Sequence, residues 1–255
     1  MELVHTATVA GVTTLTLDSP ANRNALSSPL MRELLDALAA AVTDPAVRVV
    51  VLSHTGPVFC SGADLTETAA ARSDGRLPAE LLADVLAALW ELPKPVVARV
   101  GGPARAGGLG LIAAADIAVC TSAATFAFSE VRLGVIPAVI SATVLPRLHP
   151  RAAAELYLTG DVFDGGRAVA AGLVTAAVPA DDLDAAVAGY CDALVRGGPL
   201  ALAGTKQLLR RTPAATIRAD LAELADRSAG YFRSEEGREG VAAFREKRPA
   251  RWIPQ

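Results

Sequence analysis

Phe59-Cys60-Ser61-Gly62-Ala63-Asp64-Leu65 and Gly107-Gly108-Leu109-Gly110-Leu111 are the two stretches from which the chain is best read. Each is dense in small residues and comes after a short, apolar run of strand length, residues 47–54 for the first and 95–100 for the second. The second stretch also opens an apolar helix over 107–115. Small residues let a ligand approach the backbone closely. A helix N-terminus adds unpaired N–H groups and the positive end of a dipole. Two reading frames stay open here: two tight turns with no ligand, or two N–H groups converging from separate loops on one developing negative charge.

Working outward, residues 3–10 and 12–17 are β-branched runs divided by Gly11, which predicts a hairpin. Ser28 followed by Pro29 predicts a helix start, with Leu30, Leu34, Leu38 and Val42 on one face. Residues 78–92 form a second amphipathic pattern, and 117–121 and 125–128 read as short strands. Beyond them helices are expected over 141–148, 150–159, 164–171, 182–196, 200–210 and 214–232, with a strand at 174–178. Alternating strands and helices argue an α/β fold, and the last part reads as helical throughout. Gly197-Gly198-Pro199 is the strongest breaker, dividing a core of residues 1–196 from a C-terminal helical region of 197–255.

Composition excludes several classes of function. The 255 residues are 52% hydrophobic but only 4% aromatic, so a sizeable core must be built from Ala, Val and Leu. A net charge of -3 gives no basic excess to replace counterions on nucleic acid. Cys60, Cys120 and Cys191 are odd in number and far apart, so they read as reduced, buried thiols without metal-ligand spacing. The N-terminus lacks the build of a signal peptide, and no apolar stretch reaches the roughly 20 residues of a membrane span. A cytoplasmic protein is expected.

Glu130 is the carboxylate to weigh. It is either a surface group paired with Arg132, or an acid/base whose pKa is raised by its apolar neighbours Ala127, Phe128, Val131 and Leu133. A dinucleotide fingerprint over Gly108 and Gly110 fails because Gly108 lies eight residues past Val100 instead of directly off a strand. A serine hydrolase lacks its Gly-x-Ser-x-Gly, and His54 at a strand end reads as structural.

The two stretches resemble the paired oxyanion segments of the enoyl-CoA hydratase/isomerase (crotonase) family. Further segments are similar to that family in the same order: Asn22-Arg23-Asn24-Ala25-Leu26, Phe128-Ser129-Glu130-Val131-Arg132-Leu133-Gly134, Tyr157-Leu158-Thr159-Gly160 and Glu239 through Arg248. The resemblance implies a spiral of ββα units with a helical C-terminal trimerisation region. It implies Glu130 as acid/base and the backbone N–H groups of Ala63 and Gly107 as donors to a thioester oxygen. Ser61, Gly62, Asp64, Leu65, Gly108 and Pro137 would line the substrate, while Arg23 and Lys247 would meet coenzyme A. Residues 69–80 would form a wall beside the acyl chain.

One departure stands out. Family hydratases with two catalytic glutamates carry the second where this chain has Gly110. Single-glutamate members include Δ3,Δ2-enoyl-CoA isomerases, so isomerisation and a non-catalytic acyl-CoA-binding relative both stay open. Gly108 to Leu111 together with Phe126 to Ser141 resembles a bacterial branch of methylglutaconyl-CoA hydratase type, which favours hydration. In that stretch Ala138, Val139 and Ile140 replace glycines common elsewhere. The implied protein needs no metal and no cofactor beyond the coenzyme A of its substrate. It is expected to bind acyl-CoA, not nucleic acid or membrane, as a homotrimer or dimer of trimers, with Leu221, Leu224 and Tyr231 as contacts.

Overall fold

The computed structural model describes residues 2–64, 67, 78–212 and 215–254. Its strands are β1 (Val4–Val9), β2 (Val12–Leu17), β3 (Val49–His54), β4 (Val96–Val100), β5 (Ala104–Arg105), β6 (Ile117–Thr121), β7 (Thr125–Ala127), β8 (Phe163–Asp164) and β9 (Ala176–Val178). Its helices among the described residues are α1 (Ser28–Thr43), α2 (Pro78–Glu91), α3 (Gly107–Ala114), α4 (Ala138–Val144), α5 (Pro150–Thr159), α6 (Gly165–Ala171), α7 (Leu183–Val195), α8 (Pro199–Arg210), α9 (Ile217–Arg233) and α10 (Glu235–Glu246).

The β1–β2 hairpin is closed by Ala10 and Gly11, both at positive φ (48° and 82°), the backbone that a two-residue turn needs to match strand twist. From β2 onward the large sheet is parallel, in the order β1-β2-β3-β4-β6-β9. Its central strands carry continuous apolar runs, residues 49–52 on β3 and 96–98 on β4, because both faces are covered there. On β3, Val50 and Leu52 pack into the main core with α1, α2 and α3, while Val49 and Val51 meet Leu183, Val187 and Cys191 of α7 on the other side.

A second, shorter ladder runs beside the large sheet and positions the candidate site. The sheet β5-β7-β8 is extended by isolated parallel bridges, Cys60 to Ala104 and Leu26 to Ala63. Several turns of the spiral thus lay down a long strand and then a short extended rung. The rungs around Leu26, Cys60–Ala63, Ala104, Phe126 and Phe163 are stacked in that order.

Several expectations shift in detail. Ser27, not Ser28, caps α1, accepting the Leu30 N–H at 3.5 Å, because Ser28 already takes helical geometry. Val42 is 43% exposed, and Ala41 takes the inward position instead, since the apolar stripe drifts round a 3.6-residue helix. The helix expected over 141–148 starts at Ala138, with Pro137 as its N-cap residue. A helix over Glu235–Glu246, read from sequence only as a matching segment, is capped by the Ser234 side chain accepting the Gly237 N–H. Among the described residues no helix is long and apolar enough to cross a membrane.

Candidate active site

The rung carrying Ala63 is held at nearly every residue. Phe59 N–H donates to the Pro103 carbonyl (3.0 Å), the Arg105 N–H to the Cys60 carbonyl (3.0 Å), the Ser61 N–H to the Arg23 carbonyl (3.0 Å) and the Leu26 N–H to the Gly62 carbonyl (2.8 Å). Gly62 turns the chain at φ +93°, a conformation side chains oppose, and a Cβ there would stand 2.9 Å from Ala106 Cβ. Ala63 itself is exposed, and its N–H makes no backbone hydrogen bond among the described residues.

Gly107 begins α3, so its N–H has no partner inside the helix. Ala106 before it stands at φ 47°, an unfavourable backbone for alanine, and its N–H donates to Ala127 O at 3.3 Å. The Gly107 and Gly62 backbones lie against each other: a Cβ on Gly107 would be 3.9 Å from Gly62 Cα and 2.7 Å from Leu26 Cδ1. The fold therefore brings both small-residue stretches together. Gly108 is buried beneath this pair, facing Cys60, whose thiol burial pushes up to about 12 and removes as a nucleophile.

Glu130 sits in a short 3-10 turn, Ser129–Leu133, closed by Gly134 in the left-handed region. It is not paired with Arg132, which instead reaches Asp161 at 2.6 Å. Burial raises the Glu130 pKa above its ordinary value, the bond from its own backbone N–H opposing this in part. Its Oε2 is buried and has no hydrogen-bond partner among the described residues. A buried carboxylate oxygen without a donor is costly, and such atoms cluster where a ligand supplies the missing bond. Tyr157 stands near enough for the Glu130 charge to raise its pKa, though burial is the larger cause.

The chain matches the family description enoyl-CoA hydratase/isomerase over residues 7–255. It belongs to that family. The 2,3-dehydroadipyl-CoA hydratase of Escherichia coli is 32% identical over 239 residues, covering 92% of this chain and 92% of its own. The peroxisomal Delta(3,5)-Delta(2,4)-dienoyl-CoA isomerase of Arabidopsis thaliana is 30% identical over 267 residues, covering 99% of this chain and 96% of its own. The crystal structure of an enoyl-CoA hydratase from Shewanella pealeana superposes with a TM-score of 0.90 at 33% identity, covering 98% of this chain and 96% of that one. The architecture described above is accordingly the crotonase fold.

Within this enoyl-CoA hydratase/isomerase fold the other expected contacts divide. Ser61 and Asp64 are half-buried on the Ala63 rung, and Gly62 is buried in it. Pro137 is buried, its carbonyl accepting the Ser141 hydroxyl at 2.6 Å. Arg23 is exposed at φ 59° beside Ser61. Lys247 is exposed at the end of α10, in a segment tied down by Glu239 to Arg248 (2.6 Å) and Arg251 (2.9 Å). Leu65 and residues 69–77 of the expected acyl wall lie outside the described residues, while Pro78 to Glu80 open α2. His54 is structural: its Nε2 accepts the Gly101 N–H at 3.0 Å, and its ring meets Phe59 edge-on at 5.4 Å.

Two features escaped the sequence reading. Ile140 fills the space beside Gly110, with its Cγ2 2.7 Å from where a Cβ would be. Glu67 accepts the Ser28 N–H at 2.7 Å, which ties it to the start of α1. No periodicity announces either contact, because each joins residues at least 30 positions apart.

Proposed function

We propose that the protein is an enoyl-CoA hydratase that adds water syn across a 2-enoyl-CoA with Glu130 as its single acid/base. The observation that carries this reading is the buried Oε2 of Glu130, which has no hydrogen-bond partner among the described residues, together with the raised pKa of its carboxyl. The Ala63 and Gly107 N–H groups would hold the thioester oxygen, each worth roughly 2.7–4 kcal/mol as negative charge develops there. Glu130 would take a proton from water as the hydroxyl adds to the β-carbon. The resulting carboxylic acid would then return a proton to the α-carbon of the enolate, leaving Glu130 as it began. No metal or redox group enters this sequence of proton transfers. Relatives named as coenzyme A thioester hydratases lend the same direction.

A second reading is Δ3,Δ2-enoyl-CoA isomerisation, favoured by the Ile140 packing that leaves no room for a carboxylate at position 110. Shuttling one proton between two carbons needs no held water. The test is turnover of crotonyl-CoA, 3-methylglutaconyl-CoA and a 3-enoyl-CoA by wild type and Glu130→Gln. Loss of conjugated-enoyl absorbance, abolished in the variant, supports hydration. Gain of that absorbance from the 3-enoyl-CoA alone overturns it in favour of the isomerase. Binding without turnover would make the protein a non-catalytic acyl-CoA binder.

The same reading includes assembly as a homotrimer or a pair of trimers. Exposed apolar side chains on the C-terminal helices support it, among them Ile217, Leu221, Phe232 and Phe244. Sedimentation at micromolar concentration tests it, and a monomer would overturn it.

A further inference from the structure

We propose that Asn24 is the positioning residue of the oxyanion hole, the side chain that sets where the Ala63 N–H stands. The proposal rests on the hydratase reading for the reaction it names. It also takes from that reading the Ala63 and Gly107 N–H groups as the oxyanion donors, whichever reaction they serve.

Asn24 is fully buried, although asparagine is a residue mostly found at the surface. Its amide is satisfied on both sides. Oδ1 accepts the Ser19 N–H at 2.7 Å, and Nδ2 donates to the carbonyls of Thr55 (3.0 Å) and Val58 (2.8 Å). The last two carbonyls belong to the loop between β3 and the Ala63 rung. A side chain from the preceding turn of the spiral thus bridges both ends of that loop, five residues before Ala63.

The backbone around Asn24 completes the template. Arg23 and Asn24 take consecutive left-handed conformations (φ 59° and 52°), which presents the Arg23 carbonyl to the Ser61 N–H. Two residues later the Leu26 N–H holds the Gly62 carbonyl, and the Leu26 side chain underlies Gly107. The 23–26 segment therefore touches both candidate donor rungs, and the Asn24 amide is what fixes that segment to the 55–58 loop. If the amide is lost, the rung keeps its backbone bonds to Arg23, Leu26, Pro103 and Arg105, but the loop that leads into it loses its side-chain tie, and the Ala63 N–H is expected to shift against Gly107. Misplacing a reacting group by about 1 Å can cost about a hundredfold in rate.

A plain turn residue would predict something different. Asparagine tolerates the left-handed region, and glycine tolerates it better. Asn24→Gly therefore preserves the backbone and removes only the clamp. Asn24→Asp keeps the shape and the Ser19 contact but turns a carboxylate oxygen toward two carbonyls.

The experiment compares wild type, both variants and Val187→Ala, a core change under α7 chosen to match their loss of thermal stability. Two quantities are read: steady-state hydration, and the infrared carbonyl band of bound [1-13C]butyryl-CoA, a saturated thioester that cannot turn over. In wild type the band moves to lower frequency on binding. In both Asn24 variants it is expected to return at least half-way to its free position, with kcat reduced roughly 10- to 100-fold and KM within about threefold. Val187→Ala keeps the wild-type band and kcat.

Wild-type band position and kcat in both Asn24 variants would overturn the proposal. Equal losses in Val187→Ala would do so too, since the effect would then be one of stability. No band shift in wild type would also overturn it, because no oxyanion hole would exist to be positioned. A shifted wild-type band without any turnover, lost in the Asn24 variants, would sink the hydratase reading and leave the role of Asn24 standing.

Discussion

Ile140 stands where a side chain at position 110 would have to go. A Cβ on Gly110 would be 2.7 Å from Ile140 Cγ2 and 3.3 Å from Leu86 Cδ1. Gly110 is interior to α3 and is held further by the Thr143 hydroxyl donating to its carbonyl at 3.2 Å. The absent carboxylate and the bulky neighbour are thus one feature, and the two positions should be energetically coupled.

Gly110→Glu alone is expected to lose about 3 kcal/mol, through overpacking and an enforced shift of Ile140. Ile140→Gly alone should cost a similar amount through the cavity it leaves. The double variant should be more stable than the sum of these losses by about 1–3 kcal/mol, as for residues in direct contact. A urea-unfolding double-mutant cycle measures this, and strict additivity would disprove the coupling.

Glu130 carries a pH signature in stability as well as in rate. Burial raises its pKa in the folded protein above the ordinary 4.5. Over the window between those values the folded state binds more protons than the unfolded, so wild type loses stability as pH rises through it. Glu130→Gln removes that loss. Its advantage should be absent near pH 4 and grow toward neutrality as the wild-type carboxyl ionises. Thermal melting of both proteins across this range is the measurement.

Two glycines should respond oppositely to alanine. Gly62 lies at φ +93° with Ala106 Cβ and the Arg105 carbonyl within 3.1 Å of an added Cβ. Gly62→Ala is expected to cost about 1–3 kcal/mol and to lower kcat. Gly189 is exposed inside α7 with nothing near an added Cβ. Gly189→Ala should stabilise by about 0.5–1 kcal/mol without touching turnover.

The ion pair that fixes α8 to the core also predicts a pH effect. Lys206 lies 2.7 Å from Asp116, is only 7% exposed, and burial lowers its pKa to about 8 from an ordinary 10.5. Between those values the unfolded chain holds the extra proton, so stability should rise with pH by on the order of 2 kcal/mol. Lys206→Met should flatten that rise. Asp116→Asn leaves Lys206 and Arg210 without their shared counter-charge and should cost more, about 3–5 kcal/mol. Urea unfolding from pH 7.5 to 10 separates the two.

Sequence alone determined most of the elements and the list of candidate groups, because these depend on near neighbours along the chain; the short rungs β5 and β8 and the helix Glu235–Glu246 were not among them. The Gly11 hairpin, the apolar runs of β3 and β4, the helix opening at Gly107 and the motif order through Glu130 are all local patterns. Boundaries moved by one to three residues where capping decided them, as at Ser27 and Pro137. What the tertiary structure decided is which of these groups meet. The rung order that stacks Leu26, Ala63 and Ala104, the orphaned Glu130 Oε2, the Ile140 plug and the Asn24 clamp all join distant positions. Burial and unmet hydrogen bonds are properties of the packed chain, set by what lies across a gap and not by what lies next in line.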